Sequence, residues 1–186
     1  MNKYIFPAIR LTSICIVFFS GVYTMIILVA AKISSSHGTG EKIVANGKTF
    51  YVNVGQKFTD DKYFYSRPSA VDYNAAAAGG SNKGPSNPEY LALVQARIDT
   101  FMVHNPGISR SQIPSDIVTA SGSGLDPNIS VKAAQIQIGR ISRLRGIAEP
   151  NLEQLIISNT ERPLLNLMGT EQINVLKINI ALDNLK

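Results

Sequence analysis

The sequence predicts an α+β protein, with a single N-terminal transmembrane helix followed by one mixed α+β extracytoplasmic domain. Three observations carry that expectation. Residues 11–31 (LTSICIVFFSGVYTMIILVAA) contain no charged side chain. Residues 32–40 are a short Ser- and Gly-rich linker. Beyond them, β-prone runs bounded by turn residues are interspersed with capped stretches of helical periodicity. The expected division is residues 1–10 cytoplasmic, 11–31 transmembrane, 32–40 linker and 41–186 as the extracytoplasmic, periplasmic domain.

At about 1.5 Å per residue the charge-free run spans roughly 32 Å, the thickness of a bilayer core. Its Leu, Ile, Val and Phe residues together favour insertion by roughly 3–7 kcal/mol before Ser, Thr and Gly subtract. A cleaved secretory signal is the competing reading, since Lys3 and Arg10 supply a positive start and residues 28–31 (LVAA) offer small side chains. Signal cores run about 7–15 residues. This run is longer and Lys32 follows it directly as an interfacial anchor, so a retained span is expected. Lys3 and Arg10 on one side against Lys32 on the other predict the N-terminus inside and the bulk of the chain outside. Within the span, Ser13, Ser20, Thr24 and Ala31 fall within roughly 40° of one another at about 100° per residue, with Gly21 alongside, a candidate small-residue packing face.

In residues 42–54 (KIVANGKTFYVNV) the Asn46-Gly47 pair predicts a tight hairpin turn between two strands. Residues 62–67 (KYFYSR) read as another strand, ended by Pro68. Residues 69–88 then form a long loop rich in Ala, Gly, Ser and Asn, of a length that marks a functional candidate. Asn87-Pro88-Glu89 starts a helix along which Leu91, Val94, Ile98, Phe101 and Met102 recur, and His104 with Asn105-Pro106-Gly107 ends it. Residues 113–120 (IPSDIVTA) read as a strand and 121–128 as a turn-rich loop. Ser130 caps a second helix, with an apolar stripe of Val131, Ala134, Ile138, Ile141 and Leu144 and Gly146 as its left-handed cap. A third helix is expected from Pro150 to about Thr160. Residues 174–182 (NVLKINIAL) alternate, with Leu176, Ile178 and Ile180 on one face, and read as a half-buried strand.

Roughly 150 residues outside the span are enough for one core without metals or disulfides. The sole cysteine, Cys15, lies inside the span. The net charge of +5 is too modest to indicate nucleic-acid binding. Its one local excess, Lys132, Arg140, Arg143 and Arg145, reads as a solvated helix face. Gly79 to Gly84 has the spacing of a phosphate loop, but Pro85 stands where the lysine belongs. Loop serines 66, 69, 81, 121 and 123 belong to no nucleophile motif, and two histidines, His37 and His104, leave little for a metal site or triad. No catalytic or metal residue is assigned. The polar groups expected at a partner contact are Ser66, Arg67, Asn82 and Asn87. Asp60, Asp61 and Asp72 offer an attraction for cations that Lys57, Lys62 and Arg67 offset.

A short N-terminal span followed in order by residues 64–70 (FYSRPSA), Tyr73-Asn74, 79–88 (GGSNKGPSNP), Ile113-Pro114, 118–126 (VTASGSGLD) and 174–183 (NVLKINIALD) closely resembles the C subunit of the bacterial Kdp potassium-transporting ATPase. Lys83 stands where an apolar residue is expected in that family, and Asn128 where many relatives carry His. The resemblance implies a single-pass protein of the cytoplasmic (inner) membrane within a four-part complex. Its partners there are a channel-like subunit that carries K⁺, a P-type ATPase subunit that hydrolyses ATP, and a very small hydrophobic subunit. It further implies an accessory role: stabilising the assembly and acting as a catalytic chaperone that raises the pump subunit's ATP affinity, sometimes by direct nucleotide contact. With the domain outside and no phosphate loop, an indirect effect is expected, with ATP and K⁺ handled by the complex and no cofactor held by this chain. The alternative is a membrane-anchored external module that shapes K⁺ access to the channel-like subunit.

Overall fold

The computed structural model of the chain describes residues 2–45, 47–163, 165 and 167–185. It divides into two compact units, Met1–Glu41 and Lys42–Lys186.

The first unit is one continuous helix of 29 residues, Ile5–Ile33, long and apolar enough to cross a membrane. It begins six residues before the charge-free run and ends two after it, carrying Pro7 in its first turn, where a missing N–H costs nothing. It is not uniformly α. Between α1 (Ile5–Ile16) and α2 (Thr24–Ile33), Val17–Tyr23 winds as a π-helix. Beyond the helix, the Ser34 hydroxyl donates to the Ala31 carbonyl at 2.6 Å, and His37 and Gly38 take positive φ of 49° and 76° through a compact turn.

The second unit opens with the expected hairpin, β1 (Lys42–Ala45) against β2 (Lys48–Tyr51), in antiparallel register from Lys42↔Tyr51 to Ala45↔Lys48. Gly47 takes φ 72°, as a two-residue turn demands, and Asn46 lies outside the described residues. Helix α3 (Pro88–His104) starts where the Asn87 side chain accepts from the Tyr90 N–H at 3.0 Å and ends where the Asn105 amide bonds the Phe101 carbonyl at 2.9 Å. A short strand β3 (Asn128–Ser130) leads to the Ser130 cap, whose hydroxyl accepts from the Ala133 N–H at 3.1 Å. The second helix is two pieces, α4 (Val131–Gln135) and α5 (Ile138–Arg145), ended by Gly146 at φ 67°. Helix α6 (Glu149–Asn159) follows, then β4 (Thr160–Glu161), β5 (Gln172–Asn174) and α7 (Val175–Asn184). The three strands form an antiparallel sheet in the order β3-β5-β4. Phe64, Phe101, Ile129, Ile141, Leu152, Ile156, Ile173 and Ile178 form the centre of one core.

Three expected strands are corrected. Residues 174–182 are not a strand. Asn174 ends β5 and caps α7 by accepting from the Lys177 N–H at 3.1 Å, after which Val175, Leu176, Ile178, Asn179 and Leu182 are buried. Offsets of 0, 3, 4 and 7 from Val175 lie on one helical face, and the apparent alternation of Leu176, Ile178 and Ile180 runs across it. Residues 113–120 hold a 3₁₀ turn, Ser115–Ile117, in which the Thr119 N–H and hydroxyl both donate to the Ser115 carbonyl, at 2.9 and 2.7 Å. Local hydrogen bonding by Ser, Asp and Thr outweighs the β-propensity of Ile117 and Val118, which still enter the core. Residues 62–67 pair with no strand, and what holds them is part of the site below.

Candidate functional site

The segment 61–67 is held by side chains that occupy the place of a neighbouring strand. Asn179 on α7 accepts from the Phe64 N–H and donates to the Phe64 carbonyl, both at 2.9 Å, so one amide reproduces both bonds of a ladder position. Gln137, at the break between α4 and α5, accepts from the Tyr65 N–H at 2.8 Å and ties its own amide to the Ala133 carbonyl at 2.9 Å. Arg140 completes the set. Its guanidinium donates to the carbonyls of Asp61 and Tyr63, to Asn105 Oδ1 at 3.0 Å and to Gln137 Oε1 at 2.7 Å, and lies 4.0 Å from the centre of the Tyr65 ring. A buried charge is tolerable when its donors find acceptors, and here all three guanidinium nitrogens do, with acceptors from three separate parts of the chain. Burial lowers the Arg140 pKa, with the Tyr65 and Asp61 charges acting the other way. Arg140 is 3% exposed. The expected solvated face of basic residues is therefore corrected in part: Lys132 and Arg143 are exposed, but Arg140 is an internal fastener, and Arg145 bonds the Leu182 carbonyl at 2.9 Å and pairs with Asp183.

At the edge of this network the Tyr65 hydroxyl donates to Asp61, and His104 Nδ1 lies 2.9 Å from the same carboxylate. Those two bonds, Tyr65 first, hold the Asp61 carboxyl below its ordinary 3.8. Burial and the Asp61 bond push the Tyr65 phenol up to about 12. Burial also pushes Tyr73 up to about 12, and its hydroxyl donates to the Arg67 carbonyl at 2.5 Å. Between residues 57–73 and α3 these groups border a cleft of about 490 Å³, with Phe58, Tyr65, Tyr73 and Phe101 as aromatic walls and Arg97 and Thr100 among its polar groups.

The long loop has no regular secondary structure over residues 69–87, Pro88 being the first residue of α3, and it is fixed by a clasp of glycines. The Gly79 N–H donates to the Ser123 carbonyl at 2.8 Å and the Gly55 N–H to the Leu125 carbonyl at 2.7 Å, so residues 121–126 are gripped from two sides. A Cβ on Gly124 would stand 2.7 Å from the Gly79 carbonyl oxygen, and one on Gly55 would stand 2.8 Å from that of Asp126. Arg67 joins this clasp through Asp126 at 2.7 Å. Ser69 Oγ accepts from the N–H groups of Val71 and Tyr73 at 3.1 and 2.9 Å and shapes the start of the loop.

The structure does not gather the four candidate partner-contact residues into one free polar set. Ser66 is buried and donates to the Gln56 carbonyl at 2.6 Å, Arg67 is paired with Asp126, and Asn87 caps α3. Asn82 is exposed at φ 53°. The three aspartates weighed as a cation lure are each engaged: Asp72 with Lys57 at 2.6 Å, Asp60 with Lys62 at 3.1 Å, and Asp61 as above. In the membrane-type helix, the π stretch Val17–Tyr23 lies between Ser13 on one side and Thr24 and Ala31 on the other, so the uniform step of about 100° behind the expected packing face does not hold along its whole length. Ser13 borders a shallow groove with Val17, Phe18 and Val22. The Thr24 hydroxyl bonds the Phe19 carbonyl five residues back at 3.2 Å, the π spacing.

Nothing local marks Asn105, Gln137, Arg140 and Asn179 as a set, because they come from three stretches far apart in sequence: the end of α3, the start of α5 and α7. A signal existed for Asn179 and Gln137, polar residues standing among apolar ones on faces that turn inward. Comparison with known proteins now gives this arrangement its setting. The family model for the c chain of K⁺-transporting ATPases, KdpC, matches residues 5–184. The potassium-transporting ATPase KdpC subunit of Flavobacterium psychrophilum is 48% identical over 185 residues, covering 99% of this chain and 100% of the relative. That of Bacteroides thetaiotaomicron is 46% identical over 188 residues, covering 99% and 100%, and that of Caldanaerobacter subterraneus is 40% identical over 184 residues, covering 98% and 95%. Every sequence block on which the resemblance rests falls within the matched residues, and the chain belongs to the KdpC family of K⁺-transporting ATPase subunits.

Proposed function

We propose that this chain is a non-catalytic subunit of an ATP-driven potassium uptake complex, which it stabilises while raising the ATP affinity of the ATP-hydrolysing subunit without binding the nucleotide itself. The channel-like, ATP-hydrolysing and small hydrophobic subunits of the same complex are its partners, in the cytoplasmic membrane. The observation that carries the reading is the state of the glycine-rich loop. A phosphate loop needs free backbone N–H groups and a lysine. Here the Gly79 N–H is committed to Ser123, Pro85 follows Gly84, and Lys83 pairs with Glu89 at 2.7 Å. That loop is a structural clasp. The Lys3 and Arg10 bias favours the folded unit on the outer face, away from cytoplasmic ATP.

Two measurements test the two parts. Calorimetry with the purified full chain in detergent is expected to show no saturable heat on adding ATP, and micromolar saturable binding would place a nucleotide site in this subunit. Protease added to the outer face of sealed cells with a permeable outer layer is expected to remove the unit from residue 42 onward. Protection there, with cleavage from the cytoplasmic face, overturns the orientation.

A further inference from the structure

The cleft between residues 57–73 and α3 shares Tyr65 and His104 with the edge of the Arg140 network, and its charges do not balance internally. Lys57 on its rim is neutralised by Asp72 at 2.6 Å, and His104 faces Asp61 at 2.9 Å. Arg97 is different. Among the described residues its guanidinium has one hydrogen-bond acceptor, the Val118 carbonyl at 3.1 Å, and no carboxylate partner. A guanidinium carries five N–H donors in a fixed fork shaped for a carboxylate. It lines the cleft together with Phe58, Tyr65, Tyr73 and Phe101, and with Thr100 on the same helix, whose hydroxyl donates to the Ala96 carbonyl at 2.9 Å. The volume, about 490 Å³, is that of a small-molecule pocket, where apolar walls hold the body of a ligand and a few polar groups orient it.

We propose that this cleft binds a small organic monoanion, a carboxylate on an apolar or aromatic body, anchored by Arg97. One unpaired positive charge matches one negative charge. A phosphate dianion would need a second free cation, and the Asp72 carboxylate in the lining would oppose it. Partial burial strengthens the case, because two opposite charges attract more strongly in the lower dielectric of a cleft than on an open surface. The site does not depend on the role proposed for the chain in its complex.

The test uses the full chain in detergent with ring-labelled tyrosine, titrated with phenylacetate and with its neutral isostere phenylacetamide, and read by NMR at the Tyr65 and Tyr73 rings. Tyr65→Phe and Tyr73→Phe assign the signals. Phenylacetate is expected to shift both rings saturably and to bind at least about tenfold more tightly than the amide, with Arg97→Gln bringing the acid down to the level of the amide. Absence of saturation, equal binding of acid and amide, or full binding by Arg97→Gln overturns the proposal. If Arg97→Gln does not fold, the acid-to-amide ratio in the unaltered chain decides alone. Binding to the free chain that disappears in the intact complex also overturns it, since a partner's side chain would then fill the cleft.

Discussion

Arg140→Met is expected to destabilise the chain by about 3–5 kcal/mol, because several buried neutral acceptors lose their donor at once. Methionine fills much of the same volume, so the loss is polar. Three acceptors lose their donor together, the carbonyls of Asp61 and Tyr63 and Asn105 Oδ1, while Gln137 Oε1 keeps only the Tyr65 N–H. Each buried acceptor left bare costs about 1–3 kcal/mol, reduced where water can enter. Arg140→Lys is expected to recover less than half, since one ammonium cannot reach the directions that the guanidinium fork spans. Urea unfolding of the full chain in detergent, followed by tyrosine near-ultraviolet dichroism, should show a lower midpoint with unchanged slope. A loss below about 1 kcal/mol would mean that segment 61–67 stands without this fastener.

Gly124→Val is expected to open the clasp. Gly124 sits at φ 67°, and an added Cβ would meet the Gly79 carbonyl oxygen at 2.7 Å and Val71 Cγ2 at 2.8 Å. A β-branched residue held in the left-handed region costs about 1–3 kcal/mol, and the collision with backbone adds roughly another 1–3 kcal/mol. The local escape is to move residues 121–126 away from Gly79, which breaks the Gly79 to Ser123 bond and frees the long loop. Limited proteolysis should then cut within residues 69–88 many times faster than in the unaltered chain. Gly84→Ala is the control, because a Cβ there meets nothing within 4 Å. Equal cutting of both variants would show that the clasp does not restrain the loop.

These two sites also show what the sequence discloses. Elements announced by local chemistry were legible: the hairpin at Gly47, the Asn87 and Ser130 caps, the Gly146 terminus and the helix built around the charge-free run 11–31. Each is decided within a few residues of itself. Segment 62–67 was half legible, since Tyr, Phe and Tyr favour extended backbone. Nothing local reveals that its partners are Asn179, Gln137 and Arg140 rather than another strand. The same limit hid α7, where Asn174 is both a strand residue and a helix cap and the 2-residue and 3.6-residue periods overlap across Leu176 and Ile178. The glycine motifs signalled a loop of consequence, but their use, close backbone approach between residues 79 and 124, is a tertiary fact.

The role proposed for the folded unit is to raise ATP affinity at a distance. Such an effect requires contacts that differ between two states of the partner, and coupling of this kind is about 1–3 kcal/mol, or roughly 5–150-fold. The most direct measurement is potassium-stimulated ATPase activity of the purified complex as ATP and K⁺ are varied in turn. It is made before and after the folded unit is cut away through a protease site placed within residues 34–40, with co-elution of the other subunits confirmed. The account predicts that the apparent KM for ATP rises at least about fivefold while that for K⁺ is unchanged. An unchanged KM for ATP with a loss confined to K⁺ affinity would contradict it and give the unit the role of shaping potassium access.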